Sequence, residues 1–528
     1  MIRTNKKKKI VLGVVCALIA VYLIALFGCY FFEPSTFNYA DLSLADAAFD
    51  MYGIFDKSLN DTFYLKQIDE NNIVALENDN RLKFIVGTII LVAENDAEYS
   101  EIEDLISSIN GSICGYIECS DFYQIEFNSA SYEELVDICH KLSENESVIT
   151  AIPDYFEETP ASDSPANSLL DDYTEIASDD NTENENDNIS ALELINAYEA
   201  WDYSDYFNSV NVGMIDGVVD YTNSDIEIVN ADDYSVDAFY TDEYLSSINH
   251  GTHVAGIIGA EQNNNFGIDG MCSTAEIYSY NGINNSISYW IASLCRMIHY
   301  ENVKAINVSM GCNTFLIISA SMGDEFALNY YDNICGVFEA VLEKLIDSGD
   351  EFIIVQAAGN SAYSSQYKVF FECFGYGDKK ILSRLDLLGL LDTKTGVADA
   401  KYVFYFSNID NEKVRERIIV VGSVNNYGEY SIFSNTGEAV DIAAPGEEIC
   451  SSVTYNSFEI MSGTSMAAPF VTGTAAMLFA LDDTLTGAEV KEILTSTYSE
   501  TVSINEFTYP ILNAGNAVSY VYDLISAS

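Results

Sequence analysis

The sequence predicts an α/β protein, in which a mostly parallel sheet flanked by helices follows a smaller α+β unit and an N-terminal apolar helix. Three observations support this class. An uncharged run from Ile10 to Phe32 opens the chain, directly after a basic cluster. Strand and helix patterns alternate in the order βαββαβ between Lys83 and Glu158. Beyond them, continuous apolar stretches typical of buried parallel strands alternate with helical stretches rich in small residues.

The length and composition of the chain allow two folded units joined by linkers. Its 528 residues exceed what a single core usually holds, and 48% hydrophobic residues suffice for packed interiors. Its 82 acidic residues against 23 basic ones give a formal net charge of -59, which repels phosphate backbones. We therefore expect no nucleic acid among its partners. The eleven cysteines show no zinc-ligand spacing, and their disulfide pairing stays open.

Residues 1–32 form the predicted export segment. Arg3 and a lysine cluster precede the run from Ile10 to Phe32, which as a helix measures about 35 Å and can cross a bilayer. No small-residue cleavage site follows, so we expect a retained membrane anchor. The positive-inside rule then places all later residues outside the cell. A cleaved signal peptide with a secreted product, and a lipid attached at Cys29, are the alternatives.

Residues 33–79 are expected to connect this segment to a folded unit at 80–158. The predicted elements of that unit are a strand at Phe84 to Val92, a helix at Tyr99 to Ile109, strand material from Gly115 to Phe127, a helix at Tyr132 to Leu142 and a strand at Val148 to Ile152. Their order is that of the ferredoxin-like split unit. Residues 159–190 are acidic and polar, which indicates an exposed flexible linker before a second unit at 191–528.

An acidic residue stands at the end of the first buried strand of the second unit. Val210 to Ile215 reads as this strand, and it delivers Asp216 to its carboxyl end. Open α/β sheets place their ligand-binding and functional residues at the carboxyl ends of the strands. An isolated Asp-Gly at a strand end is more often a turn, so Asp216 needs support from other motifs.

Two histidines accompany a helix of small residues. The chain has four histidines, of which His140 and His299 fall in ordinary helical contexts. His250 and His253 instead lie in His-Gly-Thr-His-Val-Ala-Gly, at the predicted start of a helix whose small residues allow close packing. One of these two is therefore the base if histidine chemistry occurs, and a buried structural histidine is the alternative for either.

A serine opens a second helix of small residues. Ser465 lies at the predicted N-terminus of a helix that runs to about Ala480. Free backbone N–H groups and partial positive charge at a helix N-terminus favour an oxyanion that forms on a carbonyl attacked by the serine. Taken alone, Ser465 would be an ordinary helix cap.

Together, the Asp216 segment, the His250-Gly-Thr-His segment and Gly463-Thr-Ser-Met-Ala-Ala-Pro resemble the three active-site blocks of the subtilisin family of serine proteases. Their order, Asp then His then Ser, is the order of that family. The resemblance covers roughly 191–480 and implies a subtilisin-like fold with a triad of Asp216, His250 and Ser465. The family usually has Asp-Thr-Gly or Asp-Ser-Gly where this chain has Asp216-Gly217-Val218, which leaves the turn after the acid undetermined.

Two further blocks are similar to the family. Ala-Ala-Gly-Asn, ending at Asn360, resembles the oxyanion-hole segment, which implies that the Asn360 amide donates to the oxyanion beside the Ser465 N–H. Ser-Met-Gly after the strand Ala305 to Val308 resembles the edge that pairs with extended substrate. By the same resemblance, the substrate-binding residues are Ser309, Met310, Gly311, Ala357, Ala358 and Gly359.

The resemblance also implies a structural calcium site. Asp225 stands where the family often has a calcium-ligating aspartate, and Asn264 lies in a stretch similar to the matching loop. A surface turn rich in Asn and Gly is the alternative. No cofactor is expected in the catalytic chemistry.

The implied function is a serine endopeptidase that cleaves polypeptides through an acyl-enzyme. The unit at 80–158 resembles the subtilase propeptide, which assists folding and inhibits the enzyme, so we expect a precursor that processes itself. A generic adaptor domain is the alternative for that unit. For the whole chain, the alternative is a catalytically silent extracellular binding protein that has kept the fold. Residues 361–417 form a long, partly aromatic insertion whose role the resemblance does not define.

Overall fold

A computed structural model describes residues 62–76, 79–128, 131–157, 189–230, 242–282, 285–310, 322–360, 391–392, 397–398, 400–402 and 404–527. The predicted export segment lies outside these residues, as do nearly all of the predicted acidic linker, the aromatic part of the insertion, and Gly311.

The described strands, numbered in chain order, fall into two main sheets and three short hairpins. They are β1 Phe63–Tyr64, β2 Ile73–Leu76, β3 Asp79–Ala93, β4 Ser112–Ile117, β5 Phe122–Glu126, β6 Val148–Glu157, β7 Val210–Asp216, β8 Ala275–Asn281, β9 Asn285–Ser286, β10 Ala305–Val308, β11 Ile353–Ala357, β12 Leu391–Asp392, β13 Val397–Ala398, β14 Ile418–Val424, β15 Ile442–Pro445, β16 Ile449–Val453, β17 Ser457–Met461, β18 Thr501–Ile504 and β19 Phe507–Pro510.

The α-helices are α1 Tyr99–Ser108, α2 Tyr132–Ser143, α3 Ile189–Leu194, α4 Ala197–Trp201, α5 Asp242–Gly259, α6 Ile287–Cys295, α7 Asp324–Asp347, α8 Glu412–Arg415, α9 Thr464–Leu481, α10 Gly487–Ser496 and α11 Ala514–Ala527. A π-helical turn, Arg296–Tyr300, extends α6. Short 3-10 turns occur at Glu70–Asn72, Glu118–Ser120, Ser204–Tyr206, Ala400–Tyr402, Tyr405–Asn408 and Thr454–Asn456.

The N-terminal unit is an antiparallel sheet with two helices. Its strands lie in the order β1-β4-β5-β3-β6, and β2 pairs with β3. The elements β3, α1, β4, β5, α2 and β6 follow one another in the order βαββαβ. The strands β1 and β2, which come from the stretch expected only to connect, add to this sheet. A capping box starts α2: Ser131 Oγ accepts from Glu134 N–H, and the Glu134 carboxylate accepts from Ser131 N–H.

The second unit is built on a parallel sheet of six strands in the order β15-β14-β11-β10-β7-β8. Every residue of β10, β11 and β14 is buried, because helices cover both faces of the sheet. The predicted α/β class is confirmed.

The helix α9 is the centre of this unit. It packs against five strands of the parallel sheet and against α5 and α11. In the described part of the chain it is the one helix whose length and hydropathy would suffice to cross a membrane, with 89% of the apolar window buried. Its apolar character is therefore explained by its place in the core.

The two units are joined by a short β-ladder. The end of β6 pairs antiparallel with β9, which places Phe156 opposite Ser286 and Glu157 opposite Asn285. The sheet of the N-terminal unit thus extends onto the second unit at a segment that lies directly before α6.

A buried carboxylate reinforces this contact. Asp154 on β6 has no exposed surface and accepts hydrogen bonds from the N–H of Ser288 at 3.1 Å and from its hydroxyl at 2.6 Å, in the first turn of α6. Burial raises the pKa of Asp154 to about 6, against the hydrogen bonds from Ser288 and Gln124. A carboxylate at this place satisfies donors that the start of α6 leaves open.

Candidate active site

The carboxyl end of β7 places an aspartate against a histidine. Asp216 is 1% exposed, and its Oδ1 lies 2.6 Å from Nδ1 of His250. The Gly217 N–H also donates to that oxygen at 2.6 Å. The sequence predicts a helix that starts at His250, but α5 begins at Asp242, so His250 lies inside the helix.

The turn after the acid requires glycine. A Cβ on Gly217 would lie 2.2 Å from the carbonyl oxygen of Ser247 on α5. A Cβ on Gly251 would in turn lie 2.5 Å from the carbonyl oxygen of Gly217. These two glycines let α5 approach β7 closely enough for His250 to reach Asp216. The close packing of α5 thus explains why this chain has Gly217 where the family usually has Thr or Ser after the aspartate.

The charge of Asp216 governs the protonation of His250. Burial lowers the pKa of His250, but the charge of Asp216 and its hydrogen bond raise it by more, so the net shift is upward from the ordinary 6.5. The short contact fixes Nδ1 as the nitrogen that faces the carboxylate, which leaves Nε2 to accept a proton.

The second histidine of the motif has a structural role. His253 is fully buried, and its Nε2 faces the backbone carbonyls of Ile449 at 2.9 Å and Glu459 at 3.1 Å. Burial lowers its pKa to about 3, so it stays neutral. Of the two candidate bases, His250 is therefore the one in contact with an acid.

Ser465 occupies the second position of α9 and is tied to the end of β10. Its hydroxyl donates to the Ser309 carbonyl at 3.2 Å, and the Ser309 hydroxyl donates to the Ser465 carbonyl at 2.8 Å. This reciprocal pair holds the start of α9 against the strand edge that the sequence assigns to substrate binding.

The amide of Asn360 is oriented by Thr464. Its Oδ1 accepts from the N–H and the hydroxyl of Thr464, both at 2.9 Å. Because the oxygen is held on this side, the NH₂ group points the other way, and a Cβ on Gly463 would lie 3.1 Å from Nδ2 and 3.7 Å from the Ser465 nitrogen. The Asn360 amide nitrogen and the Ser465 nitrogen therefore both lie near one point beside Gly463.

The predicted substrate-binding residues line the strand ends around this space. Ser309 and Met310 follow β10, and the Gly359 N–H donates to the Thr464 hydroxyl at 3.0 Å. Ala357 and Ala358 are 3% and 0% exposed, so their side chains lie within the core beneath the site. Sequence reasoning gave no role to Thr464, although it stands inside the motif quoted for the serine.

Asp225 and Asn264 lie together, but protein donors already satisfy the carboxylate. Asn264 Nδ2 donates to Asp225 Oδ1 at 2.9 Å, while the Ile268 N–H and the Ser452 hydroxyl donate to Oδ2 at 3.2 and 3.3 Å. Burial raises the pKa of Asp225 despite these bonds. No group of three His, Cys, Asp or Glu that could hold a metal occurs among the described residues. As placed, both carboxylate oxygens of Asp225 therefore face donors from the protein itself.

Comparison with known proteins identifies a family and several relatives. The sequence profile of the subtilase family, peptidase S8, matches residues 207–513. A thermophilic serine proteinase of Bacillus sp. strain AK1 is 29% identical over 327 residues, which are 61% of this chain and 64% of that protein. Subtilisin E of Bacillus subtilis strain 168 is 27% identical over 293 residues, 55% of this chain and 60% of its own. The chain thus spans less than two thirds of the length of these two relatives.

Proposed function

The chain belongs to the subtilase family, and from this premise we propose that it is a serine endopeptidase that hydrolyses polypeptides. The observation that supports the proposal is the contact of 2.6 Å between Asp216 and His250, on a helix that packs against the helix of Ser465. Hydrolysis of casein by the purified protein tests it. We expect cleavage by the wild type and none by His250→Ala, whereas an intact substrate with both would contradict the activity.

In the proposed mechanism, Ser465 attacks the peptide carbonyl after its hydroxyl turns from Ser309 toward His250. His250 takes the proton on Nε2 and later donates it to the leaving amine, which leaves an acyl-enzyme that water hydrolyses. Asp216 orients the imidazole and stabilises its charged form. The amide of Asn360 and the N–H of Ser465 bind the oxyanion.

Removal of the Asn360 amide should slow turnover without weakening substrate binding. Asn360→Ala should lower kcat by about 10² to 10³ and leave KM nearly unchanged, because the donor acts on charge that develops only in the transition state. Steady-state kinetics on one peptide substrate measures both constants. Asn425→Ala, at a surface turn, is the matched control. A modest loss that falls mainly on KM would refute the role.

We further propose that the N-terminal unit is a propeptide that inhibits the enzyme. The end of β6 pairs with β9 at Asn285, and the side chain of Asn285 donates to the carbonyl of Asn281, which is the register partner of Asp216. The N-terminal unit is thus anchored at a segment that is tied to the strand end of Asp216. Because this unit belongs to the same chain, its peptide bonds are present at a high effective concentration, and one of them should be the first that Ser465 cleaves.

Export through residues 1–32 is also a proposal, and it rests on the apolar run from Ile10 to Phe32. We expect the precursor in the membrane fraction, with its catalytic unit accessible to protease added to intact cells. Lipid labelling lost in Cys29→Ala would assign the attachment to an acyl chain instead, and a soluble cytoplasmic precursor would contradict export.

Structural calcium near Asp225 and Asn264 stays a separate proposal that rests on the family resemblance alone. Under it, a chelator should lower the Tm of the purified wild type, because calcium would bind only the native state. Asp225→Asn should remove that difference. A Tm unmoved by the chelator removes the proposal and leaves the hydrogen bonds of Asp225 as its role.

A further inference from the structure

The last described residue of β6 places a carboxylate between two tyrosines. Glu157 Oε1 accepts a hydrogen bond from the hydroxyl of Tyr330 at 2.6 Å and another from the hydroxyl of Tyr405. Tyr330 lies on α7, and Tyr405 opens the 3-10 turn Tyr405–Asn408. Both donors belong to the second unit and the acceptor to the N-terminal unit, so the contact crosses the boundary between them.

The contact lies on the path into the catalytic site. Glu157 pairs with Asn285 on β9, and the side chain of Asn285 donates to the carbonyl of Asn281 at 2.8 Å. Asn281 is the register partner of Asp216, and the next residue, Gly282, donates its N–H to the Asp216 carbonyl at 2.8 Å. The side chain of Glu157 therefore occupies a position along the strand edge that leads to the triad.

The two tyrosines are buried among other aromatic rings. Tyr330 is 3% and Tyr405 1% exposed. The Tyr405 ring packs at 5.1 Å from Tyr331 and stacks at 5.6 Å on Phe338. Tyr330 lies 6.1 Å from Tyr331 in the second unit and 4.6 Å from Tyr155 on β6. Burial and the charge of Glu157 raise the pKa of Tyr330 well above its ordinary value, so its hydroxyl keeps the proton that it donates.

We propose that the hydroxyls of Tyr330 and Tyr405 form an acidic subsite, so that the enzyme prefers substrates with a glutamate at the position that Glu157 occupies in the precursor. The inference rests on the proposed peptidase function and adds a substrate class to it. Tyr405 comes from the long insertion at 361–417, which gives that insertion a role in specificity.

The geometry favours a carboxylate over other side chains. Two neutral O–H donors converge on one oxygen, and a hydrogen bond to an ionised acceptor is worth more than one to a neutral amide. The net charge of -59 on the chain repels acidic peptides over long distances. A preference for an acidic residue at one position would therefore come from the two tyrosine hydroxyls and not from the net charge of the chain.

Quenched peptides with this chain's own residues 153–170 test the subsite. They carry Glu157, Glu157→Gln or Glu157→Lys and are offered to the processed wild-type enzyme. We expect kcat/KM for the glutamate peptide to exceed that of the glutamine peptide about tenfold, with the lysine peptide poorer still. In Tyr405→Phe, which removes only the hydroxyl, the ratio should fall toward one. Tyr331→Phe, a buried neighbour whose ring contacts both tyrosines, is the matched control and should keep the ratio.

The outcomes separate the inference from the function on which it rests. If the wild type cleaves all three peptides at equal rates, the acidic subsite is wrong and the peptidase stands. If it cleaves none of them, and no casein, both are wrong. Because the wild-type ratio decides the matter by itself, the inference stays testable even where Tyr405→Phe does not fold.

Discussion

Ser465→Ala should accumulate as the full-length chain, because the proposed enzyme cuts its own precursor. Loss of the nucleophile costs about 10⁶ in turnover. The β6–β9 ladder ties the N-terminal unit to the second unit of the same chain, so the precursor's own peptide bonds are present at a high effective concentration. The wild type should therefore be cut between Tyr155 and Ser190 even when the protein is dilute.

Expression in a host that lacks other secreted proteases, followed by intact mass measurement, distinguishes the two chains. Ser462→Ala is the matched control. Ser462 lies three residues before the nucleophile, and its hydroxyl accepts a hydrogen bond from the Glu448 N–H at 2.9 Å. This variant should be processed like the wild type. A Ser465→Ala chain still cut in the same window would assign processing to another enzyme.

Asp216→Asn should lower kcat by about 10⁴ and also move the pH profile. His250 acts as a base only when neutral, and Asp216 holds its pKa above 6.5. Wild-type activity should thus be lost as the pH falls through a value above 6.5. Without the charge of Asp216 the pKa of His250 falls, because burial then acts unopposed, so the acid limb of kcat/KM should move to lower pH.

The measurement is kcat/KM against pH for both enzymes on one peptide. Asp220→Asn is the matched control, because Asp220 is buried four residues later and its carboxylate accepts from Thr222 and Tyr455 and makes no hydrogen bond to His250. Its acid limb should coincide with that of the wild type. An acid limb unmoved by Asp216→Asn would show that another group titrates in the profile.

Most of the strands and helices could be predicted from local hydrophobic patterns in the sequence. The largely apolar run from Val210 to Ile215 identified β7. The spacing of Ile102 and Ile106, both buried in the structure, identified α1. The start of α5 was missed by eight residues. Residues 242–249 are mostly polar, so the small-residue pattern that marks the buried part of the helix begins only at Gly251.

The parts of the site that the sequence does not reveal depend on contacts between distant residues. Glu157 meets Tyr330 and Tyr405 across 173 and 248 positions, and no periodicity links them. Gly217 looked like a departure from the family because the carbonyl of Ser247 that excludes a side chain there is visible only after folding. The order of the motifs predicts the triad, whereas the contacts around the predicted residues become visible only in the folded structure.

Reaction with a fluorophosphonate probe tests the central claim most directly, because such probes phosphonylate a serine only where a base activates it. With the processed wild-type enzyme, peptide mapping should find the probe on Ser465. His250→Ala, which keeps the serine but lacks the base, should remain unlabelled. If the probe maps to another residue, Ser465 is not the nucleophile. If the folded, processed wild type does not react at all, the chain is a silent binding protein with a subtilase fold.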